Sequence, residues 1–209
     1  MSHALFRHLY FPLFHRRIRH IDGLNLLPQS GGFLIAANHI DYLDGFFLAA
    51  AIGKDRPRSI AFLSETANYW WIRGVTIPVD PSQKAAALDR ALAALERGIV
   101  IGMFPEGRRN TSHELLQGKT GIARLAAWSG LPVLPIGIVG SSSRNFMGSV
   151  TTLLFRHRPV TIRIGEPLTF PKIQKEEITK PQLVAMTTTI MQALGRVCGK
   201  SYHPLTPTL

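Results

Sequence analysis

Apolar and polar positions along this chain fall into blocks that switch between the period of a strand and that of a helix. The run GGFLIAAN at 31–38 is a short apolar stretch behind a glycine pair, which predicts a buried strand, and 44–52 predicts a helix. Runs at 59–64 and 75–79 read as further strands. Asp80, Pro81 and Gln83 mark a helix start, with Asp80 as N-cap, Pro81 at the first helical position and Gln83 closing a capping-box-like pair. That helix stops at Gly98. A strand at 99–104, a polar loop, a helix at 120–129, strands at 132–139 and 160–165, and a last helix from Lys180 to about Val197 complete the series. Strands alternating with helices predict a single α/β domain with a mostly parallel central sheet flanked by helices. No internal repeat, low-complexity tract or linker divides it.

The first twenty residues have a different character. Leu5, Leu9, Leu13 and Phe6, Tyr10, Phe14 recur at i, i+4, i+8 and line one helical face, while the same stretch carries four arginines, four histidines and no acid. Pro12 kinks or splits that helix. A basic amphipathic helical segment with aromatics suits interfacial attachment, and a helix docked on the core is the alternative. On either reading the chain divides into the amphipathic segment at 1–21, a candidate membrane contact, and a domain at 22–209.

Composition narrows the function classes. With 45% hydrophobic and 18% charged residues among 209, the chain is too apolar for disorder. The single cysteine, Cys198, excludes an internal disulfide framework and a cysteine-rich metal site. A formal net charge of +11 favours polyanions: nucleic acid, anionic lipid or phosphorylated substrates. No nucleotide loop, RNA-binding aromatic block or zinc spacing appears, so neither nucleic acid, metal nor cofactor is expected. The longest uncharged run, 125–143, is long enough to span a bilayer, but Pro132, Pro135 and three glycines break it into a helix end, a turn and a strand. The start of the sequence does not resemble a cleavable signal, because Arg7, His8, His15, Arg16 and Arg17 interrupt its apolar residues. A peripheral position on the cytoplasmic face of a membrane is therefore expected.

Candidate chemistry starts where the first strand ends, at Asn38-His39-Ile40-Asp41-Tyr42-Leu43-Asp44. Strand ends in α/β sheets face the ligand crevice. A neutral imidazole there can take a hydroxyl proton if a carboxylate holds its other nitrogen, and Asp44 can fold back to do so. Asp41 and Asp44 as N-cap and first-turn acid of a helix are the plainer alternative. A second cluster, Phe104-Pro105-Glu106-Gly107-Arg108-Arg109-Asn110, follows another buried strand. Its Pro-Glu-Gly turn presents a carboxylate and approachable backbone, and an arginine fork binds phosphate bidentately. Lys119 can add a further cation.

Together these residues resemble the glycerolipid acyltransferase family, typified by 1-acyl-sn-glycerol-3-phosphate acyltransferase, with its Asn-His-x-x-x-x-Asp and Phe-Pro-Glu-Gly-(Thr/Ser)-Arg-Ser blocks. The 67 residues from His39 to Glu106 suit that family. So do the strand blocks Gly74-Val75-Thr76-Ile77-Pro78-Val79-Asp80 and Val133-Leu134-Pro135-Ile136. The resemblance implies transfer of a fatty acyl group from a thioester of coenzyme A or acyl carrier protein to a lysophospholipid hydroxyl. His39 is then the general base, and Asp44 orients it. Asn38, Glu106, Gly107, Arg108, Arg109 and Lys119 bind substrate, Arg109 on the phosphate. Arg108 and Asn110 replace the family's Thr or Ser and Ser, and Pro81 stands where an arginine often follows Asp80. The acceptor thus stays open between 1-acyl-sn-glycerol-3-phosphate and another lysolipid, a glycolipid or an amino-acid-derived lipid. A non-catalytic membrane-binding module of the same fold is the reading from another class.

Overall fold

A computed structural model describes residues 12–53, 59–65, 76–140, 142–155 and 159–204. Strands β1 (Ile18–Asp22), β2 (Leu34–Ala37), β3 (Ile60–Ser64), β4 (Thr76–Pro78), β5 (Val100–Met103), β6 (Val133–Val139) and β7 (Val160–Ile164) form one sheet in the order β1-β7-β6-β2-β5-β3-β4. Every pairing is parallel except β6 with β7. The mostly parallel sheet expected from the sequence is thus present. Helices α1 (Asp44–Gly53), α2 (Lys84–Glu96), α3 (Gly121–Ser129), α4 (Phe146–Phe155) and α5 (Lys180–Cys198) cover it.

Both faces of the sheet are buried. Ile35 and Ala37 of β2 point into one core with α1, α4 and Phe14, whereas Leu34 and Ala36 point into a second core with α2, α3 and α5. This explains why β2 reads as an unbroken apolar run: a central strand covered on both faces has no solvent side to alternate toward. Each core is filled by aliphatic side chains with little or no exposure. The rigid frame holds the ends of β2 and β5 side by side, in register from Leu34 and Ile101 to Ala36 and Met103.

Three elements differ from the sequence reading. Residues 18–22 form the edge strand β1, paired with β7, so the boundary between 21 and 22 cuts through a strand and does not separate two units. Just before it, Phe14 is buried against Phe46 and Phe47, with ring centroids 5.4 and 5.1 Å away. Residues 12–21 therefore belong to the domain; the rest of the amphipathic segment lies outside the described residues. Second, α2 begins at Lys84 rather than at Pro81. The Asp80 carboxylate accepts from Ser82 N and Oγ at 2.8 and 2.7 Å, and Gln83 N donates to Asp80 O, closing a separate turn before the helix. Third, α4 has no counterpart in the sequence reading, because its FMGSVTTLLF carries no polar face at helical spacing. The last helix starts as expected, with Thr179 and Gln182 closing a capping box around Pro181.

Candidate active site

The turn after β2 carries His39 to the wall of a cleft of about 630 Å3 at the C-terminal ends of β2 and β5. His39 Nδ1 lies 2.9 Å from Asp44 Oδ2. The same oxygen accepts the backbone amides of Ile40 at 2.7 Å and Asp41 at 2.8 Å. Those two amides can only donate, so they fix an acceptor at this point, and Nδ1 must supply the proton of the third bond. The tautomer follows: Nε2 is the basic nitrogen, and it has no protein partner among the described residues. Phe104 stacks on the imidazole at 4.2 Å, and Phe62 stacks on Phe104, fixing the ring plane. Burial pushes the Asp44 carboxyl above its ordinary range, opposed by the hydrogen bond and charge of His39 and by the two amides.

Arg109, from the loop after β5, lies across the mouth of the cleft. Its guanidinium carbon sits 3.5 Å above the Tyr42 ring, and Nη1 donates to Ser143 O at 3.2 Å. The remaining N–H groups have no protein partner among the described residues. Gly107, Arg108 and Lys119 line the same cleft. Gly107 adopts φ 72°, and a Cβ there would run into Lys119 Nζ, so its bare Cα gives the lysine its place. Lys84 and Arg124 also line the cleft, two cations that the sequence reading did not single out because each sits in an ordinary helical turn. Phe62, Leu63, Leu88, Met103 and Phe104 give it an apolar wall. The lining acid is Glu65. Such a cleft suits a substrate that combines anionic and aliphatic parts.

Two of the residues assigned to substrate stand behind the cleft instead. Asn38 is fully buried; its amide donates to Ile138 O at 2.9 Å and its carbonyl accepts from Ile138 N at 2.7 Å. It clamps the end of β2 to β6. Glu106 is 3% exposed, and its carboxyl oxygens accept from His39 N at 3.3 Å, Asn110 Nδ2 at 2.6 Å and Leu116 N at 3.0 Å. With both oxygens occupied, it joins the two sequence blocks rather than contacting an acceptor. Asn110 completes the joint by donating its own N–H to His39 O at 2.6 Å. Asp41 does similar work that the sequence reading missed: its Oδ2 accepts from Ser143 N at 2.9 Å and from Ser149 Oγ at 3.0 Å. This holds the carbonyl on which Arg109 rests. Among the described residues no group of three or more His, Cys, Asp or Glu side chains stands close enough to hold a metal ion. No helix of the described residues is long and apolar enough to cross a membrane.

An imidazole backed by a buried carboxylate, beside an arginine at the mouth of an apolar cleft, is equipped for proton abstraction from a bound hydroxyl. The chain belongs to the Acyltransferase family, whose model matches residues 18–139, more than half of its length. It is 30% identical over 159 residues to the chloroplastic 1-acyl-sn-glycerol-3-phosphate acyltransferase LPAT1 of Arabidopsis thaliana, covering 71% of this chain and 43% of that protein. It is 35% identical over 184 residues to the 1-acyl-sn-glycerol-3-phosphate acyltransferase of Limnanthes douglasii, covering 82% and 61%. The chain thus spans about half the length of these relatives. The crystal structure of the 1-acyl-sn-glycerophosphate (LPA) acyltransferase PlsC from Thermotoga maritima superposes with a TM-score of 0.63 over 94% of this chain and 80% of that one. At 20% identity that likeness is one of fold.

Proposed function

We propose that the protein transfers a fatty acyl group from a thioester donor to the hydroxyl of a lysophospholipid, with 1-acyl-sn-glycerol-3-phosphate as acceptor and phosphatidic acid as product. The observation that carries this reading is the His39–Asp44 pair, 2.9 Å apart, with Nε2 free in a cleft that also holds Arg109. His39 Nε2 takes the proton of the acceptor hydroxyl as its oxygen attacks the thioester carbonyl. Asp44 stabilises the resulting imidazolium. Collapse of the tetrahedral adduct breaks the carbon–sulfur bond, and the departing thiolate takes the proton back from the imidazolium. No covalent enzyme intermediate is required; Cys198 is buried, and burial raises its thiol pKa.

Arg109 holds the acceptor phosphate, with Lys119 and Arg108 adding positive charge. The apolar wall takes aliphatic chain. The donor is a thioester of coenzyme A or acyl carrier protein, both acidic carriers suited to a +11 surface. The protein works from the membrane surface, where its acceptor resides.

A panel of acceptors with one acyl-CoA and one acyl carrier protein donor, read by product mass, tests the reading. His39→Ala should lower transfer by about 100- to 10,000-fold. Arg109→Ala should raise KM about tenfold or more for a phosphate-bearing acceptor and leave the donor KM nearly unchanged. Near-normal turnover in folded His39→Ala protein would refute the mechanism. Equal turnover of acceptors with and without phosphate would refute the role of Arg109.

A further inference from the structure

Helix α4 is arranged inside out. Its inward side holds Ser149 and Leu153, 2% and 7% exposed, while Met147, Leu154 and Phe155 are 64%, 45% and 79% exposed. Ser149 faces inward because its hydroxyl donates to Asp41, the residue that also anchors Ser143 below Arg109. With that register set, positions 147, 151, 154 and 155 share the outer stripe. The helix has no charged residue, and Thr151, the polar position on this stripe, donates its hydroxyl to Gly148 O at 3.0 Å. Large apolar side chains gathered on one outward helical face mark a contact surface.

Position and charge select the partner. The patch runs to the mouth of the cleft, where Phe146 meets Tyr42 edge-on at 6.1 Å and Tyr42 supports Arg109. From 140 to 165 the chain has four arginines and no acid, and Arg144, just before the helix, is exposed. At its other end, Arg17 Nε donates to Leu153 O at 2.8 Å and Nη2 to Leu154 O at 3.1 Å, tying the start of the domain to α4. An apolar stripe with exposed Arg144 beside its start fits a bilayer of anionic lipid, with side chains entering the acyl boundary and that guanidinium at the phosphates.

We infer that the outer face of α4 rests on an anionic bilayer and brings the mouth of the cleft to it. The consequence for acyl transfer rests on the function proposed above; the contact itself does not. A bilayer-embedded acceptor would then reach Arg109 past Tyr42 and Phe146 without leaving the membrane.

The full chain is tested on phosphatidylglycerol vesicles that contain neither acceptor nor donor, so contact is measured apart from turnover. Met147→Asp and Phe155→Asp, both at exposed positions, should each weaken co-sedimentation about tenfold or more, because each removes an apolar side chain from the acyl region and adds a charge that anionic lipid repels. Transfer to a short-chain, water-soluble acceptor should stay unchanged. A polarity-sensitive dye on Phe155→Cys in a Cys198→Ser background should shift to the blue on these vesicles and not on neutral ones. Wild-type sedimentation of both aspartate variants, in protein with an unchanged circular dichroism spectrum, overturns the inference. A dye already blue-shifted without lipid overturns it too: dependence on protein concentration would mean a second copy covers the face, and loss of the shift on deleting residues 2–11 would mean the chain's own start does. Vesicle contact without acyl transfer to any acceptor would leave this inference standing and refute the proposed function.

Discussion

Replacing Asp44 by Asn separates the chemistry of this site from its stability. The Ile40 and Asp41 amides require an acceptor where Oδ2 now sits, so the amide oxygen of the variant takes that place and still accepts from His39 Nδ1. Ring orientation and tautomer survive; the negative charge does not. A carboxylate and an imidazolium with charge centres about 4 Å apart attract by about 4 kcal/mol at an effective dielectric constant near 20. That attraction exists only once His39 has taken the proton, so its loss raises the barrier and should lower kcat/KM about a thousandfold. At neutral pH the variant should be no less stable than wild type, because it no longer buries a charge.

The pH dependence adds a second signature. Burial raises the Asp44 carboxyl above its ordinary 3.8, so between 3.8 and the raised value the unfolded chain loses a proton that the native chain keeps. Wild-type stability therefore falls relative to Asp44→Asn as pH rises through that window, and the deficit is complete above it. Steady-state transfer with one acyl donor, together with denaturant unfolding at several pH values, reads both effects. A folded Asp44→Asn protein within tenfold of wild-type kcat/KM would refute the proposed role of the carboxylate.

Other perturbations address the frame around this pair. Asn38→Ala leaves Ile138 N–H and C=O without their partners in the core and should cost about 2–4 kcal/mol in denaturant unfolding; a cost below about 1 kcal/mol would argue against the clamp. Gly107→Ala forces a side chain into the left-handed region at φ 72° and into Lys119, so it should lower stability by about 1–2 kcal/mol and raise KM for the anionic substrate. An unchanged KM would remove Lys119 from substrate binding. Deleting residues 2–11 should weaken binding to anionic vesicles more than it slows transfer to a water-soluble acceptor, as co-sedimentation and turnover together would show.

The sequence by itself determined the elements whose signal is local. Strands β2, β5 and β6 are apolar runs that any two-sided sheet must bury, and the five-residue spacing of His39 and Asp44 lets one turn bring them together. The cation-rich loop after β5 was equally legible, since Gly107, Arg108 and Arg109 lie side by side in the chain. Tertiary structure decided which polar groups meet the cleft and which support it. Glu106 reaches His39 across 67 residues, Asn38 reaches Ile138 across 100, and Asp41 reaches Ser143 across 102. Likewise, β1 is a strand because β7 offers it an edge, and α4 turns its serine inward because Asp41 waits beneath it. Periodicity records what a residue does with its near neighbours; a buried hydrogen bond between distant segments leaves no trace in it, because the partner is chosen by the packing of the whole sheet.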